Sequence, residues 1–182
     1  GWPVSVGIFV LAAPLTSLLL GPGFGPSEPA LRILSLALGV AFVNSAFIGA
    51  LNASDRQISF TWAAGWSLVV NVALNLALIP LFGYKGASWA TVATELALGV
   101  VGWILTARHV GRLPVFALSW RVVVAGLVMG IAIYPLQTLH GVELAIPIVA
   151  GAVVYGVAVL LLRAVTFDEI AWARRALALG RS

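Results

Sequence analysis

Six apolar stretches, each near the length needed to cross a bilayer as helix, constrain this chain more than any motif in it. They fall at about residues 3–20, 30–53, 58–82, 86–107, 120–139 and 143–163, and about 20 apolar residues cover the hydrocarbon core. The breaks between them are abrupt. Gly21-Pro22-Gly23-Phe24-Gly25-Pro26-Ser27-Glu28-Pro29 combines three prolines with three glycines and cannot continue a helix. Ser54-Asp55-Arg56-Gln57, Phe82-Gly83-Tyr84-Lys85-Gly86 and the stretch from Arg108 to Arg121 supply the other early breaks. Hydrophobic residues make up 62% and charged residues 9% of the 182 positions, against about 25% charged in an average soluble domain. No soluble core of this length hides so much apolar surface. The expected fold is an all-α integral membrane protein, an up-down bundle of about six transmembrane helices.

Short loops force alternation between the two sides of the membrane. One side then holds Arg56, Arg108, Arg112, Arg121, Arg163, Arg174, Arg175 and Arg181, and the other only Arg32 and Lys85. An excess of Lys and Arg marks the cytoplasmic face, so the C-terminus is expected in the cytoplasm and the chain in the inner, cytoplasmic membrane. The net charge of +4 and pI of 10.4 therefore report topology; the cations form no dense face for nucleic acid. The absence of cysteine excludes disulfides and Cys-based metal or redox sites. The opening Gly1-Trp2-Pro3 lacks the basic start of a signal peptide and points to a truncated N-terminus. At the other end, Thr166-Phe167-Asp168-Glu169 reads as a capping box opening a short juxtamembrane helix in the tail 166–182. Its amphipathic arc is imperfect because Arg174 falls within it.

Polar side chains inside the spans carry the functional signal, because in lipid they must face protein or a watery cavity. Glu95 lies nine residues after Gly86, about 13 Å deep at 1.5 Å per residue. Thr91 stands one turn earlier on the same face and Thr94 is adjacent. Glu95 reads either as a proton-linked carboxylate or polar substrate contact, or as a hydrogen-bonded group that joins helices. Ser67, Asn71 and Asn75 recur every four residues as one stripe, for which interhelical bonding is the plainer reading. Asn44, Ser45 and Asn52 mark the second span, Asn52 also standing where it could cap the helix end. The last two spans are dry, with no charged or amide side chain from Val122 to Leu136 or from Leu144 to Leu162. That hairpin is expected to face lipid or an acyl chain. Small-residue pairs Gly86/Ala90, Gly126/Gly130 and Ala152/Gly156 permit close helix approach. Pro14, Pro80, Pro135 and Pro147 are placed to bend or end helices. No Walker loop, carboxylate pair or nucleophile elbow appears, and His109 and His140 fall on opposite sides, which argues against an enzyme.

The run Asn71-Val72-Ala73-Leu74-Asn75-Leu76-Ala77-Leu78-Ile79-Pro80-Leu81-Phe82-Gly83-Tyr84-Lys85-Gly86-Ala87-Ser88-Trp89-Ala90-Thr91-Val92-Ala93-Thr94-Glu95 resembles a segment of the polysaccharide biosynthesis and export flippases. These are the Wzx type of the multidrug/oligosaccharidyl-lipid/polysaccharide exporter (MOP) superfamily. There an Asn-containing helix ends Ile-Pro-x-Phe-Gly and turns through Gly-Ala into a helix reading Ala-Thr with a nearby Glu. Ala13-Pro14-Leu15, Leu20-Gly21-Pro22-Gly23-Phe24 and Ala30-Leu31-Arg32-Ile33-Leu34 also look like the family's Leu-Phe-Gly-x-x-Tyr loop, with Leu20 and Phe24 replacing its usual aromatics.

The resemblance implies that residues 1–110 are the last four helices of a C-terminal transporter lobe. It makes 111–165 an appended hairpin that accommodates a lipid tail in some relatives, and 166–182 a cytoplasmic tail. The parent would translocate a polyprenyl-pyrophosphate-linked oligosaccharide, partnered by the bilayer and by a missing N-terminal lobe of the same protein. It would use no cofactor, with coupling to an H⁺ or Na⁺ gradient open to Glu95. The substrate and cavity candidates are Asn44, Asn52, Ser67, Asn71, Asn75, Thr91, Thr94 and Glu95. A multidrug or cation antiporter of the same superfamily, a membrane enzyme acting on polyprenyl lipids and a non-transporting scaffold remain alternatives.

Overall fold

A computed structural model describes residues 1–111, 115–139 and 141–162. Within these the chain is helical, without strands: α1 (Trp2–Val10), α2 (Ala12–Leu20), α3 (Glu28–Ala53), α4 (Gln57–Phe82), α5 (Tyr84–His109), α6 (Val115–Ile133) and α7 (Ala145–Leu161). Short 3₁₀ segments cover Pro22–Ser27, Tyr134–Thr138 and Gly141–Leu144. Four helical stretches are long and apolar enough to cross a membrane, or five if the bent pair α1–α2 is one span. This is the helix inventory of a multi-pass membrane protein. The expected tail helix at Thr166 and Glu169, together with His140, Arg112, Arg163, Arg174, Arg175 and Arg181, lies outside the described residues.

The first apolar run is where the structure departs from expectation. It is not one straight helix over 3–20: α1 and α2 meet at Leu11 and diverge by 80°. Pro14 accounts for the position. A proline has no N–H, and its ring clashes with the carbonyl four residues back, here that of Val10, so the helical ladder breaks one residue later. Pro135 acts similarly beyond α6, which ends at Ile133 and passes into a 3₁₀ turn. Pro147 sits harmlessly in the first turn of α7. Pro80 is different, since α4 continues through it to Phe82. α7 has 17 residues, at the short limit for a span.

Local chemistry fixes the other ends. Glu28 and Pro29 open α3, the acid favoured by the helix dipole and the proline by its fixed φ. Gly83 joins α4 to α5 at φ +58° and ψ −140°, a backbone conformation open only to glycine. Arg108 and His109 stand in the last turn of α5, where cations suit the dipole.

The helices form a row, α4–α5–α3–α1–α6–α7, each packed mainly on its neighbours in that order. Residue contacts give the directions. Asn44 lies beside Gly99 and Phe47 beside Gly102, so α3 and α5 run parallel. Leu78 lies beside Gly86, and Asn71 bonds Thr94, so α4 and α5 are antiparallel. Trp2 and Ser5 meet Gly39 while Phe9 meets Arg32, which sets α1 antiparallel to α3. Trp2 and Val6 also meet Gly126 and Gly130, which sets α1 parallel to α6. This register gathers Arg56 and Arg108 at one end of the row and Arg32 and Lys85 at the other, while Arg121, five residues before Gly126, stands roughly level with Asn44.

Close approach depends on missing side chains. A Cβ at Gly86 would collide with the Leu78 backbone carbonyl, and Ala90 one turn on is fully buried. Gly126 and Gly130 admit α1 in the same way. The third expected pair makes no contact among the described residues: Gly156 has no atom of theirs within 4 Å of its ideal Cβ and Ala152 is exposed, while Gly151 and Ala158 are buried small residues of α7. Leu11, Met129, Ile133 and Leu144 make an apolar cluster where the bend meets the last hairpin. Beside it Gly7, Leu11, Met129, Ile133, Pro147 and Gly151 line part of an apolar cavity of about 430 Å³.

Candidate functional site

α5 is the helix around which the polar groups collect. Its two consecutive residues Thr94 and Glu95, about 100° apart on a helix of 3.6 residues per turn, face different neighbours. Glu95 turns to α3. There Asn44, 3% exposed, donates from Nδ2 both to Glu95 Oε2 at 2.8 Å and to the Glu95 backbone carbonyl at 3.0 Å. Glu95 is half-buried. The Asn44 Oδ1 is buried and accepts no hydrogen bond. It lies against Gly99, 2.8 Å from where a Cβ would stand, so that the Gly99 Cα–H, a weak donor, faces it.

Thr94 turns to α4. Asn75 donates from Nδ2 to Asn71 Oδ1 at 3.0 Å, Asn71 donates to Thr94 Oγ1 at 3.1 Å, and Thr94 donates to the Ala90 carbonyl at 2.7 Å. The dipoles of this relay all point one way, an arrangement in which each bond strengthens the next. Asn75 also donates to the Asn71 backbone carbonyl at 2.9 Å, and Asn71 and Asn75 remain half-buried. Thr91 bonds only its own helix, at the Ala87 carbonyl. Back-bonding of this kind is the usual way a hydroxyl is satisfied in an apolar helix.

Five of the eight candidates are thus joined: Asn44 with Glu95, and Asn71, Asn75 and Thr94. Ser67 lies on the half-buried flank of α4 without a side-chain hydrogen bond among the described residues. Asn52 is exposed near the end of α3, two turns beyond Asn44. Its backbone carbonyl, not its side chain, accepts the Asp55 N–H at 3.2 Å, so it does not cap the helix through its amide. Gly99 is the member that sequence reasoning missed. Its signal is its place one turn after Glu95, where it leaves room for an amide from the next helix.

Two polar seams cross the middle of α5, one shared with α3 and one with α4. Together with the helix inventory they describe an all-α, multi-pass membrane protein with a carboxylate and several amides at mid-helix. Comparison of the chain with protein families, curated proteins and solved structures finds no match.

Proposed function

We propose that the chain is the C-terminal part of a flippase that carries a polyprenyl-pyrophosphate-linked oligosaccharide across the cytoplasmic membrane for polysaccharide biosynthesis. In this reading it has six transmembrane segments of the MOP arrangement and a cytoplasmic C-terminus. Residues 1–110 belong to the rocking lobe, 111–165 form the appended hairpin, and an N-terminal lobe of the same protein completes the translocation path.

The observation that carries the reading is a coincidence of place. The segment Asn71–Glu95, which resembles the flippases, holds the whole of the α4–α5 seam and the carboxylate of the α3–α5 seam. Lobes rocking about a polar midplane are the general physics of secondary transporters, and half-buried amides and a carboxylate suit a hydroxyl-rich cargo. The apolar cavity beside the dry hairpin suits a polyprenyl tail. α3, α4 and α5 carry no cation at mid-helix, so the pyrophosphate must meet Arg32, Arg56 or the other lobe. Glu95 is the deep carboxylate available for coupling to an H⁺ or Na⁺ gradient.

Proteoliposomes containing the whole protein and a fluorescent lipid-linked oligosaccharide test this. Movement of the glycan between leaflets is expected, and Glu95→Gln is expected to lower it while abolishing its pH dependence. Efflux of organic cations without glycan movement would replace the flippase with an antiporter. Wild-type glycan transport by Glu95→Gln at every pH would reduce Glu95 to a helix-joining role.

A further inference from the structure

The bend at Leu11 places α2 at a definite depth. In the first turns of α3, the Arg32 guanidinium pairs with Glu28 at 2.9 Å and lies 5.8 Å from the centroid of the Phe9 ring. A half-exposed ion pair on an apolar helix belongs at the headgroup level, because in hydrocarbon it would be costly. Phe9 is in the last turn of α1, so α1 ends at that level. α2 then leaves at 80°. Nine residues of α-helix measure about 13.5 Å, which at such an angle advances only about 2 Å along the direction of α1. The whole of α2 therefore stays near the level of Arg32.

Along that level α2 changes character. Ala12, Pro14 and Thr16 are buried, against the start of α3 and the 3₁₀ turns between α6 and α7. The far end is uncovered: Leu18 is 52%, Leu19 73%, Leu20 53% and Phe24 53% exposed. Charge is absent from α2, and the Thr16 hydroxyl is already bonded to the Ala12 carbonyl. The tip turns through Gly21 into the 3₁₀ segment Pro22–Ser27, where Pro26 has no N–H to offer the carbonyl three residues back, a group that water then satisfies. Three leucines and a phenylalanine need the opposite. Only the boundary between headgroups and acyl chains supplies both.

We propose that α2 and the turn up to Phe24 form an interfacial anchor, seating Leu18, Leu19, Leu20 and Phe24 in the headgroup–acyl boundary, so that of the first apolar stretch only α1 enters the hydrocarbon. The occupant of this apolar tip is the lipid surface. The anchor holds one end of the α1–α3 pair at constant depth, a fixed point against which longer helices can tilt. It rests on the membrane reading of the fold and is independent of the cargo.

The cysteine-free sequence allows a direct test on the full chain. Single nitroxide labels at Leu19→Cys and Phe24→Cys, in vesicles of phosphatidylcholine and phosphatidylglycerol, report depth through collisions with oxygen and with a water-soluble nickel chelate. Val69→Cys in the middle of α4 gives the deep reference and Ser54→Cys the aqueous one. Both tip labels are expected about 5–10 Å below the phosphates, the depth of interfacial helices. A Leu19 label as deep as that at Val69 would mean that α1 and α2 straighten into one span. A label as open to nickel as that at Ser54 would leave the tip in water, and one shielded from both reagents would put protein over it. Any of the three overturns the anchor. Should Leu19→Cys fail to insert, Phe24→Cys and Leu20→Cys read the same plane.

Discussion

Asn44 was readable as a polar residue in mid-span, and Glu95 as a carboxylate in need of a partner, but nothing in one-dimensional spacing joins positions 51 residues apart. What joins them is the missing side chain of Gly99, which lets the amide sit flat on α5. The arrangement makes opposite predictions in two backgrounds. Asn44→Ala should weaken the fold by about 0.6–2 kcal/mol, the range of interhelical polar contacts in lipid. Gly99→Ala should also destabilise, because the new methyl lies 2.8 Å from the buried Oδ1. In the Asn44→Ala background that obstacle is gone, and Gly99→Ala should stabilise, by up to the ~1 kcal/mol by which helices prefer alanine to glycine. Unfolding titrations of the four proteins in mixed micelles measure the cycle. An equal effect of Gly99→Ala with and without Asn44 would remove the notch from the account.

At the level of elements, hydropathy found the long helices within a few residues, because a span is a requirement of length and composition that the sequence states directly. It did not find the 80° bend. Pro14 signals where α1 must stop, yet the angle goes with burial of Leu11 against Met129, Ile133 and Leu144 of the last hairpin, which is tertiary information. Small-residue spacing had the same limit. Gly86/Ala90 and Gly126/Gly130 are at contacts, whereas Ala152/Gly156 presents the same spacing to a face of α7 that no other described residue covers. The two faces should therefore respond differently to one methyl group. Gly86→Ala collides with backbone, which cannot swing aside, and should cost about 1–3 kcal/mol, as overpacking does. Gly156→Ala meets open space and should be neutral or stabilising by up to ~1 kcal/mol. The same unfolding titration compares them, and a Gly86→Ala protein as stable as wild type would mean that α4 and α5 are looser than they stand here.

For the whole molecule, the row of helices and the alternation of their directions make a statement about sides that neither the spans nor the seams make alone. Parallel α3 and α5, with the intervening α4 antiparallel, gather Arg56 and Arg108 at one end and Arg32 and Lys85 at the other. Arg56 and Arg108 share an end, as the expected alternation of loops requires, and Arg112, Arg163, Arg174, Arg175 and Arg181 lie outside the described residues; the neighbour order α4–α5–α3–α1–α6–α7 left no trace in the sequence. If the end with Arg56 and Arg108 is cytoplasmic, cysteines replacing Ser54 and His109 should be protected from a membrane-impermeant maleimide in intact cells and react once the membrane is opened. Cysteines replacing Ser27 and Lys85 should react in intact cells. Labelling of Ser54→Cys and His109→Cys from outside, with Ser27→Cys and Lys85→Cys protected, would invert the protein and place the C-terminus outside. Reaction of Ser54→Cys and Lys85→Cys from the same side would be more damaging. α4 would then not cross the membrane, and the polar seams on α5 would lose the mid-membrane depth on which the transport reading rests.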